Sequence, residues 1–150
     1  MKYTTTIKIN KPRSEIIDVF ENSENLIHWQ RGLQRSRVVA GKEGEVGSKR
    51  KLYIKIEGRN LRMTEIITKK NMPEEWHAEY ESLGIQSSQK NYFKIISEGE
   101  TEWVSESEFK FSGFMKIVAK LMPEIFKKRS KMIQEDFKDF IECNISAKTK

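Results

Sequence analysis

Polar and apolar positions alternate from Tyr3 to Ile9, with Tyr3, Thr5, Ile7 and Ile9 on one face, so the chain is expected to open on a β-strand. Asn10 can cap the next element, and Pro12 falls in a first helical turn, where its missing N–H costs nothing. Ile16, Ile17, Val19 and Phe20 then give a short amphipathic helix ending near Glu21–Asn22. Ser23 is a second cap, and the stretch from Glu24 to Trp29 reads as another short helix carrying Leu26, Ile27 and Trp29.

Beyond these helices the period changes to two. Strands are expected at 35–40, 48–57, 60–70, 75–82, 85–97 and 101–111, making seven with the first. The breaks between them hold turn residues: Gly41, Gly44 and Gly47, then Gly58, Met72-Pro73, Leu83-Gly84 and Glu98-Gly99. Most of these loops are short enough for antiparallel hairpins. From Phe114 onward the apolar spacing is three and four, which predicts one long amphipathic helix of about 40 Å, kinked at Pro123. Residues 144–150 form a polar tail expected to fray, leaving an ordered core of about 3–143 in one domain spanning 1–150.

The expected fold class is α+β: a curved seven-stranded antiparallel sheet wrapped around one long C-terminal helix, with two short helices between strands 1 and 2. A sheet with one apolar face and a helix with one apolar stripe bury against each other. Seven strands are much wider than a helix of about 10 Å. The sheet must therefore curl, the short helices must close one end, and space is expected between sheet and helix. Alternation points Leu52, Ile54, Leu61, Met63, Trp76, Tyr80, Phe93, Trp103 and Phe109 into that space, facing Val118, Met122 and Phe126 from the helix and Trp29 at its mouth. Tryptophan and tyrosine suit a pocket because one end is apolar and the other forms hydrogen bonds. The same residues would equally serve as plain core.

The order of elements resembles the START-like superfamily, the helix-grip proteins (SRPBCC) that include polyketide cyclases, dehydrases and lipid-transfer proteins. The residues that carry the resemblance are Ile7-Lys-Ile-Asn-Lys-Pro12 before a helix, Asn25-Leu-Ile-His-Trp29, and Gly44-Glu-Val-Gly47 leading into a strand. Met72-Pro73 after the fourth strand, and Phe137, Phe140, Ile141 and Glu142 closing the last helix, extend it over residues 3 to about 143. The resemblance implies a cavity between sheet and helix that binds hydrophobic or amphipathic small molecules, with catalysis in only some members and no ligand named.

The 150 residues are 37% apolar and 33% charged, with 28 Lys+Arg against 22 Asp+Glu. The single Cys143 excludes an internal disulfide and a zinc site built on cysteines. Neither a secretory signal nor a stretch of the roughly 18–20 apolar residues needed to span a bilayer is seen, so a cytoplasmic setting is expected. Six bases and one acid occupy 49–62, whereas five acids and no base occupy 98–108. Cross-strand pairing between the two segments is expected, and nucleic acid is not an expected partner. Lys127, Lys128, Arg129 and Lys131 form a solvated helix face that could touch anionic lipid. No metal motif, phosphate loop or nucleophile elbow appears, and no metal or cofactor is expected.

Three residues are weak catalytic candidates: Glu65, His28 and Tyr80. Glu65 shares a strand face with Leu61, Met63 and Ile67, which would aim a carboxylate at apolar surroundings and raise its pKa. A one-residue bulge turning Glu65 outward fits the sequence equally well. His28 lies beside Trp29, and His77 is expected to face solvent, away from Trp76. The expected function is binding or transport of a small hydrophobic or amphipathic ligand, lipid- or polyketide-like, by a monomer or homodimer. A cyclase/dehydrase-type enzyme using the same pocket is the alternative, followed by a protein-interaction module with a filled core.

Overall fold

The computed structural model describes residues 1–150. Strand β1 (Lys2–Ile9) leads into helices α1 (Arg13–Glu21) and α2 (Leu26–Trp29), joined by a single 3-10 turn. Strands β2 (Leu33–Ala40), β3 (Lys49–Ile56), β4 (Arg59–Asn71), β5 (Glu75–Ser82), β6 (Ile85–Ser97) and β7 (Glu100–Phe111) come next, then helices α3 (Phe114–Leu121) and α4 (Glu124–Cys143). All seven strands form one antiparallel sheet in the order β1-β7-β6-β5-β4-β3-β2. Every neighbour is therefore a hairpin partner except β1, which closes onto β7. Three hairpins have two-residue loops, and that from β3 to β4 turns on Glu57 and Gly58, both at positive φ, a conformation that matches the twist of the strands.

The concave face is filled at one end only. Phe20 of α1 sits among Trp29, Trp76, Phe93, Trp103 and Phe137, with ring centroids 5.1–6.3 Å away. Ile7, Ile9, Ile16 and Ile17 complete this cluster. The aromatic faces meet mostly edge-on, the arrangement that ring quadrupoles favour.

The C-terminal segment departs from the expected kinked helix. Pro123 has no N–H to continue the ladder, and Met122 swings to φ −133° and ψ 60°, so the helix ends at Leu121 and α4 starts afresh. The short α3 packs against β7 and the β5–β6 turn. There a Cβ on Gly84, already at φ +77°, would lie 2.7 Å from Met115 Cγ. Two cap assignments also change. Asn22, rather than Ser23, accepts from the backbone N–H of Glu24 at 3.0 Å, and the N–H of Asn10 is held by Glu142 at 3.0 Å.

The tail is also not frayed. Ala147 is buried, the Ser146 hydroxyl lies 2.8 Å from His28 Nδ1, and Lys150 Nζ reaches Asp136 and Asp139, each at 2.7 Å. Asp136 is buried and also takes a two-pronged hydrogen bond from Arg31 at 2.8 and 2.9 Å. Burial pushes its carboxyl upward, but these bonds outweigh it and hold the pKa below the usual range.

The expected pairing of the basic and acidic segments does not occur, because β6, β5 and β4 separate β7 from β3. The acids of β7 instead stand opposite lysines of β1 and β6: Glu108 opposite Lys2, Glu106 opposite Lys90, and Glu102 opposite Lys8 and Lys94. On β3, Tyr53 sits opposite Arg35 and Arg62, and Lys51 opposite Arg37. The Arg35 guanidinium covers the Tyr53 ring at 3.9 Å.

Phe137 is fully enclosed where α4 meets the aromatic cluster. Phe137→Ala is expected to lower unfolding free energy by about 3–5 kcal/mol, measured by denaturant titration.

Candidate functional site

Away from the aromatic plug the concave face remains open, as a cavity of about 560 Å³. This falls within the range of small-molecule sites, roughly 300–1,000 Å³. Alternate residues of successive strands build one wall: Leu52, Ile54 and Ile56 from β3; Leu61, Met63, Glu65 and Ile67 from β4; Trp76 and Tyr80 from β5. Ser87, Gln89 and Asn91 of β6 and Trp103, Ser105 and Phe109 of β7 continue it. Met115 and Val118 of α3, with Ile125, Phe126, Arg129, Ile133 and Gln134, close the opposite side.

Eleven of the expected pocket residues line this space: Trp29, Leu52, Ile54, Leu61, Met63, Trp76, Tyr80, Trp103, Phe109, Val118 and Phe126. Phe93 does not. It faces inward as alternation requires, but at the end that Phe20 fills, and it is only 1% exposed within the core. Met122 does not either, because it is the residue at which the helix breaks and its side chain is half exposed. His28 is likewise outside the cavity: its ring stacks on Phe140 at 5.1 Å and ties α2 to the tail through Ser146. His77 does lie on the outer face, yet it is buried there against Tyr92, and desolvation lowers its pKa.

Glu65 points into the cavity. The register of β3, β4 and β5 holds through it, opposite Arg50 and Tyr80, and the bulge falls further on, between Ile67 and Lys69. The Tyr80 hydroxyl donates to Glu65 Oε2 at 2.8 Å. Burial drives the Glu65 pKa above the usual carboxylate range, opposed by the Tyr80 bond and by the charge of Arg50. Burial, and then the carboxylate beside it, push Tyr80 well above the ordinary phenol value.

Among the cavity residues that escape the sequence reading are two arginines. Arg50 has the same parity as Leu52 and Ile54, which is the signal that could have found it; its guanidinium turns to Glu43 at 2.6 Å and to Ser36 at 3.0 Å. Arg129 belongs to the basic cluster expected to be solvated, although its helical spacing from Phe126 and Ile133 sets it on their side of α4. It donates to the Arg31 carbonyl at 2.8 Å, and burial lowers its pKa. Of the remaining cluster, Lys127 and Lys128 are exposed, while Lys131 Nζ bonds the Thr6 carbonyl. No three His, Cys, Asp or Glu side chains converge as a metal site would need.

An aromatase/cyclase from Streptomyces superposes on 96% of this chain and 97% of its own, with a TM-score of 0.76 at 7% identity. A START superfamily protein from Mycobacterium smegmatis gives 94%, 97% and 0.72 at 12% identity. The chain has the START-like helix-grip fold. Norcoclaurine synthase from Thalictrum flavum shares it, covering 95% of this chain and 94% of its own, with a TM-score of 0.73 at 10% identity. No family model and no curated protein matches the sequence. Among START-like folds of such low identity, the architecture is common and the cavity wall is each chain's own.

A carboxyl whose pKa is raised by folding favours the folded state below its unfolded pKa and opposes it as pH rises through the folded value. Glu65→Gln is therefore expected to match the parent protein in stability near pH 4, within about 1 kcal/mol, and to exceed it increasingly toward pH 8. Denaturant titrations across that range measure the difference.

Proposed function

We propose that the protein binds a small hydrophobic or amphipathic molecule, lipid- or polyketide-like, between its sheet and α4. The cavity carries this reading: about 560 Å³ of space whose wall is built largely from Leu, Ile, Met, Phe and Trp side chains. Apolar surface left facing so large a hollow is a standing loss of burial energy that an apolar guest removes, at about 25 cal/mol per Å². Trp76, Met63, Phe109 and Phe126 are the side chains proposed to contact it. The enzyme reading draws on one observation, the Glu65–Tyr80 pair, which sets a carboxyl and a phenol on the same wall. Two structural neighbours, an aromatase/cyclase and norcoclaurine synthase, are compatible with that alternative.

Loading is proposed to take place at the α3 end, against an anionic lipid surface. Phe114 and Leu121 are each 74% exposed, Leu83 of the adjoining β5–β6 turn is 93% exposed, and Ile117 and Ile125 are exposed beside them. Lys116, Lys120, Lys127 and Lys128 are interspersed with these apolar side chains, and Glu124 is the one acid between residues 114 and 128. Exposed apolar residues among lysines suit the interface of a bilayer carrying negative headgroups. No helix is long and apolar enough to cross the membrane.

Two experiments test these readings. Met63→Trp fills the cavity and is expected to weaken binding of phenylnaphthylamine, an apolar fluorescent probe, by about tenfold or more. Lys51→Glu on the outer face should leave binding unchanged, and equal losses in the two variants would refute the cavity. Sedimentation with phosphatidylglycerol vesicles is expected to carry the protein down, with Leu121→Asp and added salt each releasing it. Equal sedimentation with phosphatidylcholine would remove the anionic part of the claim.

A further inference from the structure

Resting on the proposed cavity, we infer that its ligand carries a protonated amine, and that Glu65 is the group that receives it. Arg50 and Glu65 occupy facing positions on β3 and β4, both on the concave side. An ion pair between them would balance the strand wall, but Arg50 is engaged elsewhere, by Glu43 Oε1 at 2.6 Å and Ser36 Oγ at 3.0 Å. Arg50 and Glu43 cancel. Glu65 is then left without an ion-pair partner of its own on an otherwise apolar stretch between Met63 and Ile67.

Its hydrogen bonding is equally incomplete. A carboxylate accepts about four hydrogen bonds, and Tyr80 supplies one, to Oε2. Oε1 takes no donor from the protein. An ammonium supplies both missing elements, a positive charge and up to three N–H donors. A ligand carboxylate would add a second negative charge to the same wall. The other charged groups of the cavity lie apart from this point. Arg129 is on α4, bonded to the Arg31 carbonyl beside the Arg31–Asp136 pair. Lys70 is tied to Glu21 at 3.5 Å and to the Gly44 carbonyl, while Lys128 and Glu57 are exposed at the margin. A ligand with its amine at Glu65 would thus lay its apolar body along Met63, Phe109 and Phe126.

Decylamine, decanol and decanoate share one apolar chain and differ only in head group, so binding of the three, read by tryptophan fluorescence, tests the inference. Decylamine is expected to bind about tenfold or more tightly than decanol, and decanoate more weakly than either, since a charge-assisted hydrogen bond outweighs a neutral one. The amine preference should grow as pH rises through the raised Glu65 value and its carboxyl ionises, while decanol binding stays flat. Glu65→Gln should abolish the preference and keep decanol binding. Tyr80→Phe, which removes the donor that stabilises the carboxylate, should move the pH profile upward. Decanoate binding as tightly as decylamine, or an amine preference surviving in Glu65→Gln, overturns the inference while leaving the cavity intact. Failure of all three compounds to bind overturns the cavity reading, and the inference with it.

Discussion

A sheet of seven strands, spaced at about 4.8 Å, is roughly 30 Å wide, and a helix covers about 10 Å of it. This mismatch governs the architecture. The concave face holds more apolar surface than α4 can cover, and the chain resolves the excess differently at its two ends. Near β1, helix α1 inserts Phe20 into a ring of Trp29, Trp76, Phe93, Trp103 and Phe137, and nothing is left to fill. Toward the β3–β4 and β5–β6 turns no equivalent plug exists. The short α3, cut off from α4 at Pro123, covers that end with much of its own apolar surface still outside. A rigid floor and a hollow thus come from one geometric surplus.

Within the hollow, Glu65 is the position where local preference and environment disagree. An acid among Leu61, Met63 and Ile67 carries a desolvation cost that a leucine there would avoid. The fold softens that cost with one phenol and a nearby guanidinium without removing it. Contrast Asp136, among the most buried side chains in the molecule but gripped by Arg31 and Lys150. One carboxylate is fully answered and belongs to the scaffold. The other is half answered, in the space where a guest would sit. Unequal satisfaction of two buried acids separates the scaffold from the candidate site here more clearly than their burial does.

The strand pattern was legible to within a few residues because each strand has one face on the core and one in water, so period two is strong throughout. The hollow itself followed from the width of the sheet, and eleven of its lining positions from alternation and helical spacing. Where reading failed, the cause was information at longer range than the period. Phe93 obeys its alternation, and only the position of Phe20 decides that it is core. His28 and the tail find each other across more than a hundred residues, through a hydroxyl and a ring that are unremarkable separately. Strand adjacency was the third gap. Segments of opposite charge invited pairing, but β1 closes on β7, so β3 and β7 end up on opposite sides of the sheet. For Glu65, the sequence allowed a bulge and the structure has one, displaced to Ile67–Lys69, which no pattern of apolar residues locates.

The open order of the strands leaves β1 and β2 at its margins; α4 runs along β1, where Lys131 and Lys138 bond the carbonyls of Thr6 and Lys8, so β2 is the margin without a partner. Bare margins of this kind invite a second molecule to extend the ladder. Strand β2 is poorly shaped for such growth. Its register with β3 slips between Leu33 and Arg35 and again between Val38 and Ala40, which interrupts the run of evenly spaced donors and acceptors. Arg35 and Arg37 protrude next to Lys51 and Tyr53, so an identical chain approaching there would bring its own guanidinium groups against them. The concentration of positive charge on this flank, which finds no acidic strand to answer it, therefore acts as a guard against uncontrolled polymerisation of the sheet.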